Sequence, residues 1–163
     1  MRYYFTLLLF LFFCMASGHT QTTDNSRKNA LSFELGKTGL IYNLGFDHRF
    51  PGKNFGFRFT IGSNFGKHLH AFSAGGGGYY LAGKKKHFEC GIDLHYLSVD
   101  EVSDDQKGFV LIYPDYSIKT IHASIDLGYR KYGNKSLFRI GVAPGFIKND
   151  FLPGAYISYG FIF

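Results

Sequence analysis

The feature that most constrains this chain is a period of two that runs through almost all of it. Counting back from Phe163, every second residue is apolar or aromatic: Phe163, Phe161, Tyr159, Ile157 and Ala155. The residues between them are Ile162, Gly160, Ser158 and Tyr156. Side chains of a β-strand alternate between its two faces, so this spacing predicts a strand with one apolar face. No stretch after the amino-terminal segment carries a helical period, which excludes helical bundles and α/β folds.

The same spacing predicts seven further strands. The first covers about 30–37, with Leu31, Phe33 and Leu35 on one face and Ser32, Glu34 and Gly36 on the other. The second, about 40–50, sets Leu40, Tyr42, Leu44 and Phe46 against Asn43, Gly45, Asp47 and Arg49. The third, about 55–63, sets Phe55, Phe57, Phe59 and Ile61 against Gly56, Arg58, Thr60 and Gly62. In the fourth, about 69–82, Gly75–Gly78 erase the pattern, and Tyr79 and Leu81 are expected to restore the apolar face. Such a glycine run marks a kink, or a place where bulky side chains of the other face need room. The fifth, about 87–98, sets Phe88, Cys90, Ile92, Leu94 and Tyr96 against Glu89, Gly91, Asp93 and His95. The sixth, about 116–131, sets Ile121, Ala123, Ile125, Leu127 and Tyr129 against His122, Ser124, Asp126, Gly128 and Arg130. The seventh, about 137–146, sets Phe138, Ile140 and Val142 against Arg139, Gly141 and Ala143, and 147–153 leads into the eighth.

Turn residues punctuate these strands at Pro51-Gly52-Lys53-Asn54, Gly83-Lys84-Lys85-Lys86 and Gly133-Asn134-Lys135-Ser136. They alternate with mostly longer connections at 63–68, 99–114 and 147–153, and only Thr38-Gly39 breaks the trend. Short turns at one end and longer loops at the other, with an even strand count, fit an all-β, eight-stranded antiparallel up-and-down transmembrane β-barrel.

The amino terminus has a different character. Arg2 precedes the apolar run Phe5–Met15, and Ala16-Ser17-Gly18 supplies small residues. A positive start, a core of about 11 apolar residues and a small-residue site predict a signal peptide at 1–18. A membrane-spanning helix needs about 20 apolar residues. Residues 19–29 are polar and aperiodic and are expected to be a disordered lead-in, leaving 30–163 as the barrel. Loss of Met1–Gly18 lowers the formal charge from +6 to +5, because Arg2 leaves and no acid does. Of two cysteines only Cys90 then remains, which excludes an intramolecular disulfide. A mean hydropathy of −0.06 hides the alternation, because the two faces cancel in any average.

Residue size decides which face points inward. A lipocalin-like barrel, soluble and lipid-binding, would have an apolar interior. Here the apolar face is crowded with Phe, Tyr, Leu and Ile, while the other mixes small residues with Glu34, Asp47, Glu89, Asp93, Asp126, Arg49, Arg58, Arg130 and Arg139. Eight strands enclose only enough space for side chains. Rings of Phe do not fit there, but small residues and paired charges do. These nine residues, with His95 and His122 on adjacent strands, are expected to form a polar network in the lumen.

The stretches Phe33-Glu34-Leu35-Gly36 and Tyr42-Asn43-Leu44-Gly45-Phe46-Asp47-His48-Arg49-Phe50, then Phe57-Arg58, carry a resemblance. So do Gly83-Lys84-Lys85-Lys86-His87-Phe88-Glu89 and Leu127-Gly128-Tyr129-Arg130. In order and spacing they resemble the small outer-membrane barrel proteins of the Bacteroidota, of the OmpA-like or porin-like eight-stranded type, over nearly all the mature chain. The resemblance implies an outer-membrane location. It also implies that Tyr159, Phe161 and Phe163 serve as an assembly signal for the barrel-assembly machinery, although Ser158 stands where that signal commonly has Gly. It implies little about activity.

The remaining motifs point to no cofactor and no metal. His68 and His70 share a strand face, but two histidines make a weak site. Asp100, Glu101, Asp104 and Asp105 lack Ca²⁺-loop spacing. Lys84-Lys85-Lys86 on a periplasmic turn is expected to meet lipid headgroups or simply to solubilise the turn, and not to bind nucleic acid. Gly75–Gly78 is no phosphate loop, because no Gly-Lys-Ser/Thr follows. The expected function is non-enzymatic: a structural or surface-interaction role in the envelope, with outer-membrane lipid and lipopolysaccharide as partners and 99–114 available to an extracellular ligand. The alternatives are a lipid A-modifying enzyme using His70 with Ser73, or Ser98 with the acids at 100–105, and a soluble lipocalin-like lipid-binding barrel.

Overall fold

In the computed structural model, residues 29–37, 42–63, 71–83, 86–100, 117–147 and 150–163 are described. The expected signal peptide, most of the lead-in, His68, His70, Lys84, Lys85, the acids at 101–105 and most of 99–114 lie outside these residues. Every regular element among the described residues is a strand: β1 (Asn29–Gly36), β2 (Tyr42–Arg49), β3 (Phe55–Ser63), β4 (Ala71–Ala82), β5 (Lys86–Val99), β6 (Ile118–Tyr132), β7 (Ser136–Val142), β8 (Gly145–Ile147), β9 (Asp150–Leu152) and β10 (Ala155–Ile162). Asn29, expected as the last residue before the barrel, belongs to β1.

These ten segments make eight barrel strands. β6 pairs with Val142 of β7 and Gly145 of β8 in one unbroken register, so β7 and β8 are one strand interrupted at Ala143-Pro144. β9 and β10 are likewise one strand interrupted at Pro153-Gly154, and the two prolines fall opposite each other. Proline has no N–H to give the ladder. The ladder is bridged around them by Ile125 N–H to Pro144 O and Ala143 N–H to Gly154 O. The segment 147–153, expected as a long outer loop, is therefore mostly strand, and this fourth connection is short.

Neighbouring strands are antiparallel, and the β5–β6 and β1–β10 ladders close the sheet on itself. Following paired residues once around gives the stagger. Ile162 leads through Ala30, Asp47, Arg58, Gly77, Asp93, Ser124 and Gly145 to Leu152, ten residues away on the same strand. With strands about 4.8 Å apart and a rise of about 3.3 Å per residue, that shear tilts them by about 40°.

The two faces are inside-out for a water-soluble protein. Among the described residues, 24 large apolar side chains are exposed, up to 70% for Ile121, whereas the buried set comprises nine apolar and 19 polar or charged residues. Leaving so many apolar side chains in water would forfeit about 1.5–3 kcal/mol each. Together that exceeds the roughly 5–15 kcal/mol by which folded domains are stable. The faces follow the alternation everywhere except in β4. There Tyr79 and Leu81 point into the lumen, 3% and 0% exposed, and do not restore the outer apolar face. Gly76 and Gly78 occupy that face instead, opposite Phe59 and Phe57 of β3. β4 is unbroken through all four glycines.

Candidate functional site

The lumen is the one place where charged groups concentrate among the described residues. Small side chains and glycines on the inner face leave room for long ones projecting from the opposite wall. Gly77 shows why β4 lacks side chains: a Cβ there would stand 1.9 Å from Ile92 O and 2.2 Å from Asp93 Oδ1. Bare backbone at this point lets the Asp93 carboxylate lie against the barrel wall.

Glu89 is the centre of the network. Arg130 Nε donates to its Oε2 at 2.5 Å and Arg139 Nε to the same oxygen at 3.2 Å. Arg58 Nη1 and Arg139 Nη2 donate to Oε1 at 2.6 and 2.8 Å. Two branches run outward. In one, Arg130 reaches Asp47, with Nη2 2.8 Å from Oδ2, and Arg139 Nη1 reaches Glu34 Oε2 at 3.0 Å. In the other, Arg58 Nη2 donates to Asp93 Oδ2 at 2.8 Å and to Asp126 Oδ2. The network draws on β1, β2, β3, β5, β6 and β7, so it ties together strands that are not neighbours.

Two tyrosines extend it to β4 and β10. Tyr79 on β4 donates its hydroxyl to Asp47 Oδ1 at 2.6 Å, and the Arg130 guanidinium carbon lies 4.0 Å from its ring centroid. Tyr156 on β10 lies under Arg139, 4.9 Å from centroid to guanidinium. Neither tyrosine was legible as a network member from the alternation alone.

Lys37 is the member that strand periodicity hides. It follows β1 in the phase that would point outward. Its φ of 54°, after 89° at Gly36, turns the chain so that the side chain enters the lumen, 2% exposed. Left-handed backbone costs a non-glycine residue roughly 1–2 kcal/mol. Here the ammonium binds Asp126 Oδ2 at 2.5 Å and Asp93 Oδ2, while Lys37 N–H donates to Ala155 O at 2.9 Å. A signal was present in the sequence: five inner acids against four arginines leave a cation wanting, and a lysine follows Gly36 at the strand end.

Arg49 is the expected network residue that stands apart. It is half-buried at the rim, donates Nε to Lys53 O at 3.1 Å and lies 5.5 Å from the Tyr132 ring. Among the described residues, no carboxylate pairs with Arg49.

His95 and His122 face each other across the β5–β6 ladder with ring centroids 6.1 Å apart. His95 Nε2 lies 2.7 Å from Thr60 Oγ1, whereas both ring nitrogens of His122 and Ser124 Oγ are buried without a partner among the described residues. Among the described residues, no three His, Cys, Asp or Glu side chains converge as a metal site. Ser73 points into the lumen at 1% exposure, and half-buried Ser98 lies on the outer face; His70 and the acids at 101–105, suggested with them for lipid A chemistry, lie outside the described residues. Apolar residues occupy the inner face at both ends of the charged zone: Ala71, Leu97 and Val99 at one, Ala30, Leu81 and Leu137 at the other.

The fold and this site define a closed eight-stranded β-barrel with a charged, filled interior. No protein-family profile and no curated protein matches the sequence. Among solved structures, the chain is similar in fold to the N-terminal β-barrel domain of Pseudomonas aeruginosa OprF, with a TM-score of 0.66 and 11% identity over 86% of this chain and all of that one. The outer membrane protein Ail of Yersinia pestis aligns with a TM-score of 0.49 and 8% identity over 84% of this chain and 99% of that one.

Proposed function

We propose that the protein is an integral outer-membrane β-barrel with a structural or surface-interaction role, and not a diffusion pore. The observation that carries this is the inversion of faces: an apolar outer belt around an ion-paired interior. The strand lengths support it. β3, β4, β5 and β6 have 9, 12, 14 and 15 residues, and about 9–11 tilted residues cross a bilayer. The fold shared with the OprF barrel domain is consistent with it. The ordered stretches from Phe33 to Arg58 favour a place among the small Bacteroidota barrels.

A lumen filled by arginines and carboxylates between two apolar layers favours a structural role over conduction. Partners follow from the surface. The exposed Tyr159, Phe161 and Phe163 would present the assembly signal to the barrel-assembly machinery. The outer belt would contact membrane lipid and lipopolysaccharide, and the 99–114 connection would meet any extracellular ligand.

Membrane fractionation with gel mobility before and after boiling tests this reading. The expected result is recovery in the outer-membrane fraction and a mobility that changes on boiling. Recovery in a soluble fraction without detergent would overturn it.

A further inference from the structure

At one rim of the barrel, Lys86 at the start of β5 stands directly opposite Lys131 near the end of β6. Both are on the outer face and exposed, and no carboxylate among the described residues pairs with either. The sequence offers none locally: 83–88 and 129–138 contain no acid. Like charges directly opposite across a ladder destabilise a sheet unless an anion bridges them. The next outward pair along the same ladder is Phe88 and Tyr129, and Phe138 stands opposite Lys131 on β7. A pair of ammonium groups bordering an aromatic patch matches the boundary between headgroups and hydrocarbon, where aromatics and lysines anchor membrane proteins.

We infer that Lys86 and Lys131 form a binding site for the phosphodiester of an anionic glycerophospholipid, with Phe88, Tyr129 and Phe138 against its upper acyl carbons. The site rests on the membrane-barrel reading. Asn29 and Phe163 lie at this rim, which the membrane-barrel reading puts on the periplasmic side, so the site faces the leaflet that carries glycerophospholipid. A single phosphate between the two ammonium groups neutralises the repulsion that the register imposes.

Native mass spectrometry of the detergent-purified barrel tests the site, with phosphatidylglycerol and phosphatidylcholine offered at equal concentration. Wild type is expected to retain phosphatidylglycerol preferentially. Affinity should fall about thirtyfold in K86Q/K131Q, the loss of two lysines near a charged lipid surface, and return in K86R/K131R. Equal retention of the two lipids by wild type, or unchanged phosphatidylglycerol binding in K86Q/K131Q, would overturn the inference. So would displacement of the lipid by millimolar inorganic phosphate, which would make the site one for a free anion. Each sample is also run unboiled and boiled. A boiling-dependent mobility without lipid preference sinks the lipid site alone, whereas its absence in wild type sinks the barrel reading itself.

Discussion

Asp93 and Asp126 hold the same two donors. Each places Oδ2 on Lys37 Nζ and on Arg58 Nη2, so two buried carboxylates share two cations. Removing one cation leaves both acids under-compensated where solvent is absent. Breaking a buried ion pair from one side costs about 3–5 kcal/mol, because the remaining charge stays buried. Lys37→Met should therefore lower barrel stability by about that amount. Lys37→Met with Asp126→Asn should recover part of it, since one charge then leaves with its partner. Urea unfolding in lipid vesicles gives both numbers, and a double variant no more stable than Lys37→Met would show that the lysine does not serve this pair.

Glu89 and Glu34 provide an internal comparison. Both are fully buried, but among the described residues Glu89 receives three arginines and Glu34 receives Arg139 alone. Hydrogen bonds to charged groups contribute about 1.5–3 kcal/mol each, and unpaired charges cost more. Glu89→Gln should destabilise more than Glu34→Gln by at least about 2 kcal/mol. A double-mutant cycle of Glu89 with Arg130 should show coupling, since the two groups are in direct contact. Additive effects would remove Glu89 from the centre of the network.

The architecture was largely legible in the sequence, because one period governs both faces of every strand. Phe161, Tyr159 and Ile157 fall outward and Ser158 inward just as the spacing demands. Where it failed, it failed for physical reasons. In β4 the glycine run carries no side chains from which to count, so Tyr79 and Leu81 were assigned to the wrong face. Lys37 escaped the alternation because its left-handed backbone turns its side chain against the phase of the strand. Pro153 read as loop because proline breaks a ladder, whereas Pro144 fell within the expected seventh strand; facing one another, the two interrupt both strands at one level. The charged inner residues were recognisable by type and phase. Their pairing was not, because it joins strands far apart in sequence, such as Glu34 with Arg139.

Gly77 and Gly78 are sequence neighbours with opposite surroundings. A Cβ at Gly77 would meet Ile92 O at 1.9 Å, whereas at Gly78 the nearest atom, Gly56 O, is 3.8 Å away. Backbone carbonyls cannot step aside without disturbing the β4–β5 ladder. Gly77→Ala should destabilise the barrel or prevent its folding. Gly78→Ala should be neutral or stabilising by up to about 1 kcal/mol, since alanine restricts the unfolded chain more than glycine does. The fraction of boiling-sensitive species after refolding reports both. Equal yields would mean that the glycine run is not there for the lumen.

Arg58 and Phe57 test the assignment of faces itself. Phe57 lies on the outer surface, its ring 5.1 Å from that of His48 and 5.5 Å from that of Phe59. Phe57→Leu replaces one apolar group by another within an apolar surrounding, and such exchanges usually cost less than about 1.5 kcal/mol. Arg58 is 2% exposed and contacts Glu89, Asp93 and Asp126. Arg58→Leu removes the charge that all three acids face and should cost about 3–5 kcal/mol. Asp93→Leu should fall in the same range, because it leaves Lys37 and Arg58 each short of a partner. Thermal unfolding in detergent ranks the three variants. If Phe57→Leu proves as damaging as Arg58→Leu, the aromatic side chain lies in the packed interior, and the barrel holds an apolar ligand cavity where the ion network has been placed.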